Sequence, residues 1–337
     1  MASWLAEIAE AEGGKISFER FMKLALYDPD HGYYTRHIST VGSSGDFSTA
    51  LTIGDALVRS IANWVRVETR LLGLPRLNII ELGGGSGSLA LGILRTIRPW
   101  ERVKYQIVEI SDPLRKAQEK KLRSRKIHWS ERIEAALDAA DGQAILIAHE
   151  FVDAFPCQRF ERHAEGWRQI VLSLAENLWR EQLAAASEKL ESSALSIECA
   201  DGQRIEIHDA YRQWLMTMSG HLVRGALLTI DYGGSPAEIY DRKPRGTIRA
   251  FFRHERLEGM AIYRRAGHQD LTADVNFQDL RDWSNSLGLR TVSFVSQSEF
   301  IRHWGRSGTT SCDAAEDYLL NADAMGSAIK VLHQRKG

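Results

Sequence analysis

Three alternating glycines follow an apolar segment, at a position where a backbone can approach a ligand closely. They are Gly83, Gly85 and Gly87. The apolar run Leu77–Leu82 precedes them, and a helical pattern follows. Because glycine has no side chain, a loop of this kind leaves room for a ligand beside the main chain. Glu81, two positions before the first glycine, completes a spacing that is typical of S-adenosylmethionine (SAM) sites.

A second carboxylate, Glu109, ends the next apolar segment and is followed by Ile110. A carboxylate there could accept hydrogen bonds from both hydroxyls of a ribose. The glycines also nearly match the dinucleotide pattern G-x-G-x-x-G/A, with Glu109 as the ribose acid. Two features count against NAD: the third small position is Ser88, and Glu109 lies farther from the loop than the ~20 residues expected. The sequence therefore favours SAM over a dinucleotide, and a turn without a ligand is the remaining interpretation.

Two further acids, Glu150 and Asp153, follow a later apolar segment at residues 144–149. Ligands of open α/β sheets bind outside the carboxyl ends of the strands, so we expect both side chains to lie beside the cofactor. Carboxylates there could hold a cationic guanidinium, orient its nitrogen and accept the released proton. The Asn/Asp-Pro-Pro-Tyr signature of amide and nucleobase N-methyltransferases is missing at this point, which favours a cationic substrate. The alternative is that the two acids only cap the following turn.

The composition is that of an ordinary globular protein. The 337 residues are 44% hydrophobic and 26% charged, and the net charge of −1 gives no overall field that would attract nucleic acid or an anionic membrane. Three cysteines and eleven histidines show no metal-type spacing, and the odd, scattered cysteines indicate a reducing compartment. We see no signal or transit peptide and no apolar run near the ~20 residues needed to cross a bilayer. We therefore expect a cytoplasmic enzyme of bacterial type, without membrane insertion.

Alternating strand and helix patterns predict a doubly wound α/β sheet. Strands are expected at residues 77–82, 105–110, 144–149, 226–232, 290–295 and 327–333, and helices at residues 57–72, 88–98, 113–124, 210–223, 277–287 and 314–325. Two predicted hairpins, with turns at residues 165–166 and 201–202, interrupt the alternation. We expect an N-terminal helical lid segment over residues 1–75, a SAM-binding core over 76–155, an antiparallel insertion over 156–208 and the rest of the core over 209–337.

Several colinear motifs besides the glycine loop resemble the MidA-like family of class I SAM methyltransferases. They lie at residues 16–29, 32–34, 45–49 (GDFST), 109–111, 149–156 (HEFVDAFP), 230–233, 244–247, 270–275 and 325–326. The resemblance implies a Rossmann-like sheet of seven strands and SAM as the cofactor. The mitochondrial branch of the family is a protein-arginine methyltransferase that assists the assembly of respiratory complex I. By this resemblance the substrate would be a protein, such as a respiratory-complex subunit.

The resemblance also suggests roles for residues outside the glycine loop. Asp46 would lie in a loop that folds over the SAM pocket. Apart from the resemblance, Asp231 and Tyr232 at the end of a later predicted strand, and Asp270, are candidates for the substrate wall, although turn or helix-cap roles fit each of them equally well. His149 could relay a proton, but a structural hydrogen bond is the more common role of a single histidine.

The function predicted from the sequence is SAM-dependent N-methylation of an arginine in a protein. Two alternatives stay open: an assembly factor that binds SAM with little turnover, and a small-molecule methyltransferase with a closed apolar pocket. The basic run at residues 115–126 fits a solvated helix face, so no nucleic-acid partner is expected. The sequence does not indicate an oligomeric state.

Overall fold

The computed structural model describes residues 3–38, 54–176, 178–186, 190–305 and 328–337. The α-helices in these ranges are α1 (Ser3–Ala11), α2 (Phe18–Tyr27), α3 (Asp55–Leu71), α4 (Ser88–Thr96), α5 (Asp112–Leu122), α6 (Ile133–Asp138), α7 (Asp209–His221), α8 (Pro236–Tyr240), α9 (Phe277–Ser286) and α10 (Gln297–Trp304). None of these helices is long and apolar enough to span a bilayer.

The strands of the described residues form three sheets. They are β1 (Lys15–Ser17), β2 (Leu77–Leu82), β3 (Val103–Val108), β4 (Ile127–Ser130), β5 (Gln143–His149), β6 (Gln158–His163), β7 (Gly166–Ala175), β8 (Leu178–Ala185), β9 (Arg204–Ile207), β10 (Arg224–Gly234), β11 (Arg249–Phe252), β12 (Glu255–Leu257), β13 (Asp270–Thr272), β14 (Val275–Asn276), β15 (Arg290–Ser296) and β16 (Ile329–Lys336). Two 3₁₀ segments, Ser193–Ser196 and Gly259–Tyr263, and a π-helical turn, Tyr33–His37, connect them.

The main sheet has the strand order β4-β3-β2-β5-β10-β16-β15. Its strands are parallel except for β16, which is antiparallel to both β10 and β15. The short strand β14 pairs with the end of β10. This order confirms the predicted doubly wound sheet of seven strands. Because β2, β3, β5 and β10 run in the same direction, their carboxyl ends meet at one edge, where ligands of such sheets bind.

Alternate residues of the central strands pack into two separate cores. Ile79 and Ile145 pack on the side of α3 and α4, whereas Ile80 and Leu146 pack on the side of α6, α7 and α9. Helices cover both faces of the sheet, so all six residues of β2 are buried. This explains why the central strands are continuous apolar runs in the sequence.

Most of the predicted elements are confirmed, with ends that differ by a few residues. The sequence analysis missed β4, because that strand is short and half-exposed and has no apolar run. It also missed the three-stranded antiparallel sheet of β11, β12 and β13. The predicted helix at residues 314–325 lies outside the described residues.

The prediction of two hairpins at residues 156–208 is confirmed for the first hairpin and wrong for the second. The turn predicted at residues 165–166 joins β6 to β7, but β9 pairs with β6 rather than with residues 195–199. A 3₁₀ turn takes the place of that strand, because Asp279 of α9 accepts hydrogen bonds from the backbone N–H of Ser193 (2.7 Å) and from its hydroxyl. The unpredicted strand β8 pairs with β7, and β1 from the N-terminal segment joins the same sheet.

Candidate active site

The glycine loop, residues 83–87, joins β2 to α4 and lines a cavity of about 140 Å³, here called the glycine-loop cavity. Gly83, Gly85 and Gly87 have positive φ angles between 51° and 74°, where other residues are strained. A Cβ at Gly85 would meet no atom within 4 Å, so a larger side chain there would project into the cavity. The loop therefore presents bare backbone to the cavity.

Glu109, at the carboxyl end of β3, lines the same cavity. Its Oε1 accepts the backbone N–H of Ser111 (2.9 Å), and its Oε2 accepts the side-chain amide of Gln118 (3.0 Å). Gln118 also donates to the carbonyl of Gly85 (2.9 Å), which ties Glu109 to the glycine loop. Backbone hydrogen bonds from Ile110 and Gly84 also act on this carboxylate, so ribose hydroxyls would share its lone pairs with these donors. Burial raises the pKa of Glu109, and further hydrogen bonds to its oxygens would favour the charged form.

Glu81 lies at the end of β2, lines the glycine-loop cavity and is buried. The hydroxyl of Tyr105 donates to its Oε2 (2.7 Å). Burial raises the pKa of Glu81 to about 8, although the hydrogen bond from Tyr105 acts in the opposite direction. A nearby positive charge would stabilise the ionised form of a carboxyl group with so high a pKa, and an ammonium group in the cavity would supply that charge.

The glycine-loop cavity continues past Glu109 and Ile110 into an open cleft of about 680 Å³. Gly83, Tyr27 and Phe151 line both spaces. The Ile110 side chain is 49% exposed and presents an apolar face that a planar ring could cover. An adenosyl group would thus find a diol acceptor and an apolar face at consecutive positions of the chain.

His149 offers an unused polar atom to the glycine-loop cavity, which it lines. Its Nε2 is buried and has no hydrogen-bond partner among the described residues. Burial lowers the pKa of His149 to about 4, so the ring is neutral at physiological pH. With the bare backbone of Gly85, the carboxylate of Glu109 and the exposed face of Ile110, the residues present fit SAM. They would hold it with its methionine end at the glycine loop and its adenosyl end toward the open cleft.

A larger cavity of about 850 Å³, here called the acceptor cavity, lies beyond Tyr34 and Glu150. Both side chains line this cavity and the glycine-loop cavity. A group bound in one cavity can therefore meet a group bound in the other at these two side chains. The sequence motif at residues 32–34 indicated no role for Tyr34, but its position between the two cavities makes it part of the candidate active site.

The turn after β5 is held in an unusual conformation. Glu150 has a φ of 47°, a left-handed value that is uncommon for a residue other than glycine, and its N–H donates to the carbonyl of Ile230 (2.8 Å). Oδ2 of Asp231 accepts the backbone N–H groups of residues 151–153 at 2.9 to 3.3 Å. Backbone strain of this kind concentrates at functional sites, where the surrounding structure over-determines the conformation.

Asp231 is placed differently from the prediction that it contacts the substrate. It is fully buried, and it is not among the described residues that line the acceptor cavity. Its carboxylate instead fixes the turn that carries Glu150 and Asp153. Tyr232, the next residue, does line the acceptor cavity.

Asp153 and Asp270 are both buried in the wall of the acceptor cavity. The hydroxyl of Tyr34 donates to Oδ1 of Asp270 (2.8 Å). Burial raises the pKa of Asp270 to about 7, and the charge of Asp153 adds to the effect. Burial also raises the pKa of Asp153. Raised pKa values show that this wall favours additional positive charge, which a proton or a bound cation can supply.

A buried arginine balances part of the negative charge. Nη1 of Arg249 contacts Oδ1 of Asp274 (2.5 Å), and Lys243 contacts Oδ2 of the same carboxylate (2.7 Å). Asp274 is therefore paired with two cations. Six further acids among the described residues line the cavity, and three of them form ion pairs: Glu181 with Arg159, Glu238 with Lys330 and Glu258 with Arg256. The other three are Glu150, Asp153 and Asp270.

The structure thus brings together Glu81, Gly83, Gly85, Glu109 and Ile110 on the cofactor side, and Glu150, Asp153, Tyr232 and Asp270 on the acceptor side. Gly87, which was also predicted to contact the cofactor, is not among the described residues that line the glycine-loop cavity, and a Cβ there would meet Leu122 and Gln118 of α5. The sequence analysis missed Tyr34, Gln118 and Arg249. Tyr34 lies in the motif at residues 32–34, which was the only signal available for it, and no local pattern marked the other two. Asp46 lies outside the described residues, so its predicted place over the SAM pocket stays a prediction.

Comparison with known proteins decides the family. The family model described as "Putative S-adenosyl-L-methionine-dependent methyltransferase" matches residues 60–295. The chain belongs to this family. The methyltransferase is also similar to a protein from Burkholderia thailandensis whose crystal structure contains S-adenosyl-homocysteine, with a TM-score of 0.87, 25% sequence identity, and coverage of 99% of this chain and 91% of that one. The predicted cofactor, SAM, and the MidA-like class I fold are therefore confirmed.

Curated relatives of the methyltransferase carry a more specific name. The zebrafish (Danio rerio) protein "Protein arginine methyltransferase NDUFAF7, mitochondrial" is 26% identical over 352 residues, which cover 95% of this chain and 79% of the relative. The human protein of the same name is 25% identical, and the alignment covers 87% of this chain and 70% of the human protein. These relatives are mitochondrial by name, which contradicts the cytoplasmic location predicted from the sequence.

Proposed function

We propose that this methyltransferase transfers a methyl group to an arginine side chain of a protein substrate. The observation that carries the proposal is the wall shared by the two cavities. Glu150 faces both cavities, and Asp153 and Asp270 lie on the acceptor side with raised pKa values. A guanidinium is a permanent cation with five donors, and it would supply the positive charge that these acids favour. The arginine specificity in the names of the relatives agrees with this chemistry.

The acids and Tyr34 have separate roles in this reaction. Glu150 and Asp153 accept hydrogen bonds from the guanidinium and hold one of its nitrogens toward the glycine-loop cavity. SAM, when bound there, supplies the electrophilic methyl group. Asp270 accepts the proton that the nitrogen loses, and its pKa near 7 suits a general base at physiological pH. Tyr34, which donates a hydrogen bond to Asp270 and lines both cavities, lies beside the place where the methyl group and the nitrogen would meet.

The test is methyl transfer from SAM with a labelled methyl group to total protein from cells that lack this gene. After acid hydrolysis, amino-acid analysis identifies the labelled product. We expect label in methylarginine, and we expect Glu150→Gln to lower the rate about 100-fold or more while SAM binding measured by calorimetry stays within about twofold.

Glu165→Gln is the matched control, because Glu165 has an 81% exposed side chain on the turn between β6 and β7. It should transfer methyl groups at the rate of the unmodified enzyme. Label in methyl-lysine, or only in small molecules, would contradict the arginine assignment. SAM binding without any methyl product would favour the assembly-factor alternative, and respiratory-complex subunits are the first proteins to search for methylarginine.

A further inference from the structure

We propose that a basic rim at the mouth of the acceptor cavity binds acidic residues that flank the target arginine. The proposal deepens the proposed function and rests on it, because it concerns the sequence of the polypeptide that enters the cavity. The rim consists of Arg242, Lys243, Arg245, Arg253, His254 and Arg256. All of these residues are exposed, and all except Arg253 line the acceptor cavity.

The rim concentrates positive charge that the chain as a whole does not have. Residues 242–265 contain eight Lys or Arg and two Glu, whereas the net charge of the protein is −1. The side chains of Arg242, Lys243 and Arg256 are 92%, 45% and 60% exposed. The rim therefore surrounds an acidic wall with cations, and these cations are within reach of a peptide whose arginine occupies the cavity.

Three residues of the rim have left-handed backbone conformations, which are strained for residues other than glycine. Arg253 and His254 form the two-residue turn between β11 and β12, with φ angles of 49° and 68°. Such turns favour Asn-Gly or Asp-Gly, because both central residues are left-handed. Arg242 is left-handed as well, with a φ of 56°. Two arginines and a histidine thus occupy positions where Asn or Gly would be less strained, which is expected if these side chains serve binding rather than folding.

An acidic polypeptide fits this surface better than a nucleic acid does. Single strands bind where bases stack on accessible aromatic rings. Phe252, the ring next to the turn at residues 253–254, is half-buried and is already covered by Arg265 (4.3 Å from its centroid) and Arg253 (5.2 Å). Glu258 beside Arg256 (2.6 Å) also interrupts the field that a continuous phosphate backbone would need. Separate acidic side chains of a peptide can pair with single cations of the rim.

The test compares two fluorescein-labelled peptides by anisotropy. One has a central arginine with three glutamates on each side, and the other has glutamines in their place. We expect the glutamate peptide to bind about tenfold more tightly at low salt, the combined effect of several exposed ion pairs. This advantage should disappear at about 0.5 M salt, where exposed charges are screened.

A triple variant separates charge from folding. Arg242→Asn, Arg253→Asn and His254→Gly remove rim cations but suit the left-handed backbone, so the melting temperature should hold or rise. The preference for the glutamate peptide should fall to about twofold or less. The matched control, Lys120→Gln with Arg123→Gln, removes two exposed cations from the C-terminal end of α5, where Arg123 is the residue that follows the helix, and it should retain the full preference.

Three results would overturn the inference: equal binding of the two peptides, including no binding of either; a triple variant that keeps the preference; or a single-stranded oligonucleotide of ~20 nucleotides that outcompetes the glutamate peptide at the rim. The inference and the proposed function fail in different ways. Absence of methylarginine in cell protein would refute the function, whereas methylarginine formation with equal peptide binding would refute only the role of the rim.

Discussion

The glycine-loop cavity and the acceptor cavity both depend on buried carboxylates, but they hold them differently. On the cofactor side, neutral donors hold Glu81 and Glu109: the hydroxyl of Tyr105, the amide of Gln118 and a backbone N–H. On the acceptor side, a charged pair, Arg249 with Asp274, lies among the acids, and a basic rim surrounds them. The cofactor side therefore offers a fixed pattern of hydrogen bonds, whereas the acceptor side offers a balance of charges that a cationic substrate would complete.

The difference matches what each cavity must do. A cofactor is the same molecule in every cycle, so a rigid set of donors and acceptors can be shaped to it. The acceptor group changes its protonation during the reaction, since the nitrogen loses a proton as it gains a methyl group. Acids with raised pKa values, next to a fixed cation, can follow that change of charge.

The largest expected effect is the loss of the cofactor side. Gly85→Val would place a β-branched side chain in the glycine-loop cavity at a φ of 51°, so we expect no SAM binding by calorimetry and no methyl transfer. Gly202→Val is the matched control, because Gly202 is also left-handed (φ 84°) and open but lines none of the three spaces described. It should lose similar stability and keep SAM affinity within about twofold. Normal SAM binding by Gly85→Val would remove the glycine loop from the site.

The cofactor side could be predicted from the sequence because its signals are local. Glu81 and the glycines lie within seven consecutive residues, and Glu109 follows at the end of the next strand. The alternation of parallel strands with helices places both at one sheet edge by topology alone. The class of ligand then follows from residue types and their spacing.

The acceptor side could be predicted only in part, because distant segments meet there. Tyr34 reaches Asp270 across 236 positions of the chain, and no periodicity in the sequence indicates that contact. Asp231 was assigned to the substrate wall from its place after a strand, yet tertiary structure directs its carboxylate to backbone amides. The short strands β11, β12 and β13 were missed because they lack an apolar run; β11 carries Arg249, and Arg253, His254 and Arg256 of the rim lie on β12 or on the turn before it.

An intermediate effect is expected from the turn that presents the catalytic acids. Oδ2 of Asp231 accepts the amides of residues 151–153 and Oδ1 accepts that of Tyr232. Asp231→Asn would place an NH2 donor against one of these backbone N–H groups, so we expect methyl transfer to fall by about 10- to 100-fold and SAM affinity to stay within about twofold. Asp279→Asn is matched to it, since Asp279 is also buried and accepts a backbone N–H, that of Ser193, but lines neither cavity. Equal losses of activity in the two variants would show that Asp231 acts through general stability rather than through the turn.

A smaller, pH-dependent effect is expected from Asp270. The groups that face it are Tyr34, Tyr27, Asp153 and Arg249, and burial dominates the shift of its pKa to about 7. As a base it must be deprotonated, so the single-turnover rate with saturating SAM should rise with pH through about 7 and then level off. Asp270→Asn should lower the plateau about tenfold or more and abolish the rise. A rise that persists in the variant would assign the proton to another group, and Glu150 or Asp153 would be the next candidates.

The smallest effect on catalysis, and a clear effect on stability, is expected at a charged cluster that serves neither cavity. Glu68 of α3 is buried and bonded to Arg335 of β16 (2.5 and 2.8 Å). Burial acts to raise the pKa of Glu68, but the hydrogen bonds from Arg335 and His333 lower it to about 2. A carboxyl group whose pKa is lower in the folded state stabilises the fold above its unfolded pKa, near 4.5, and this stabilisation is lost as the pH falls toward 2.

Glu68→Gln should therefore lower the free energy of unfolding by about 3 kcal/mol at pH 7, because it removes a carboxylate whose pKa is about 2 in the folded state, and it should flatten the dependence of stability on pH between 4.5 and 2. Urea unfolding at a series of pH values measures both changes. Methyl transfer at 25 °C should stay within about twofold, since Glu68 lines neither cavity. If the rate of methyl transfer fell as far in Glu68→Gln as in Asp231→Asn, loss of global stability would explain both results. The charges of the acceptor cavity would then have no demonstrated part in catalysis.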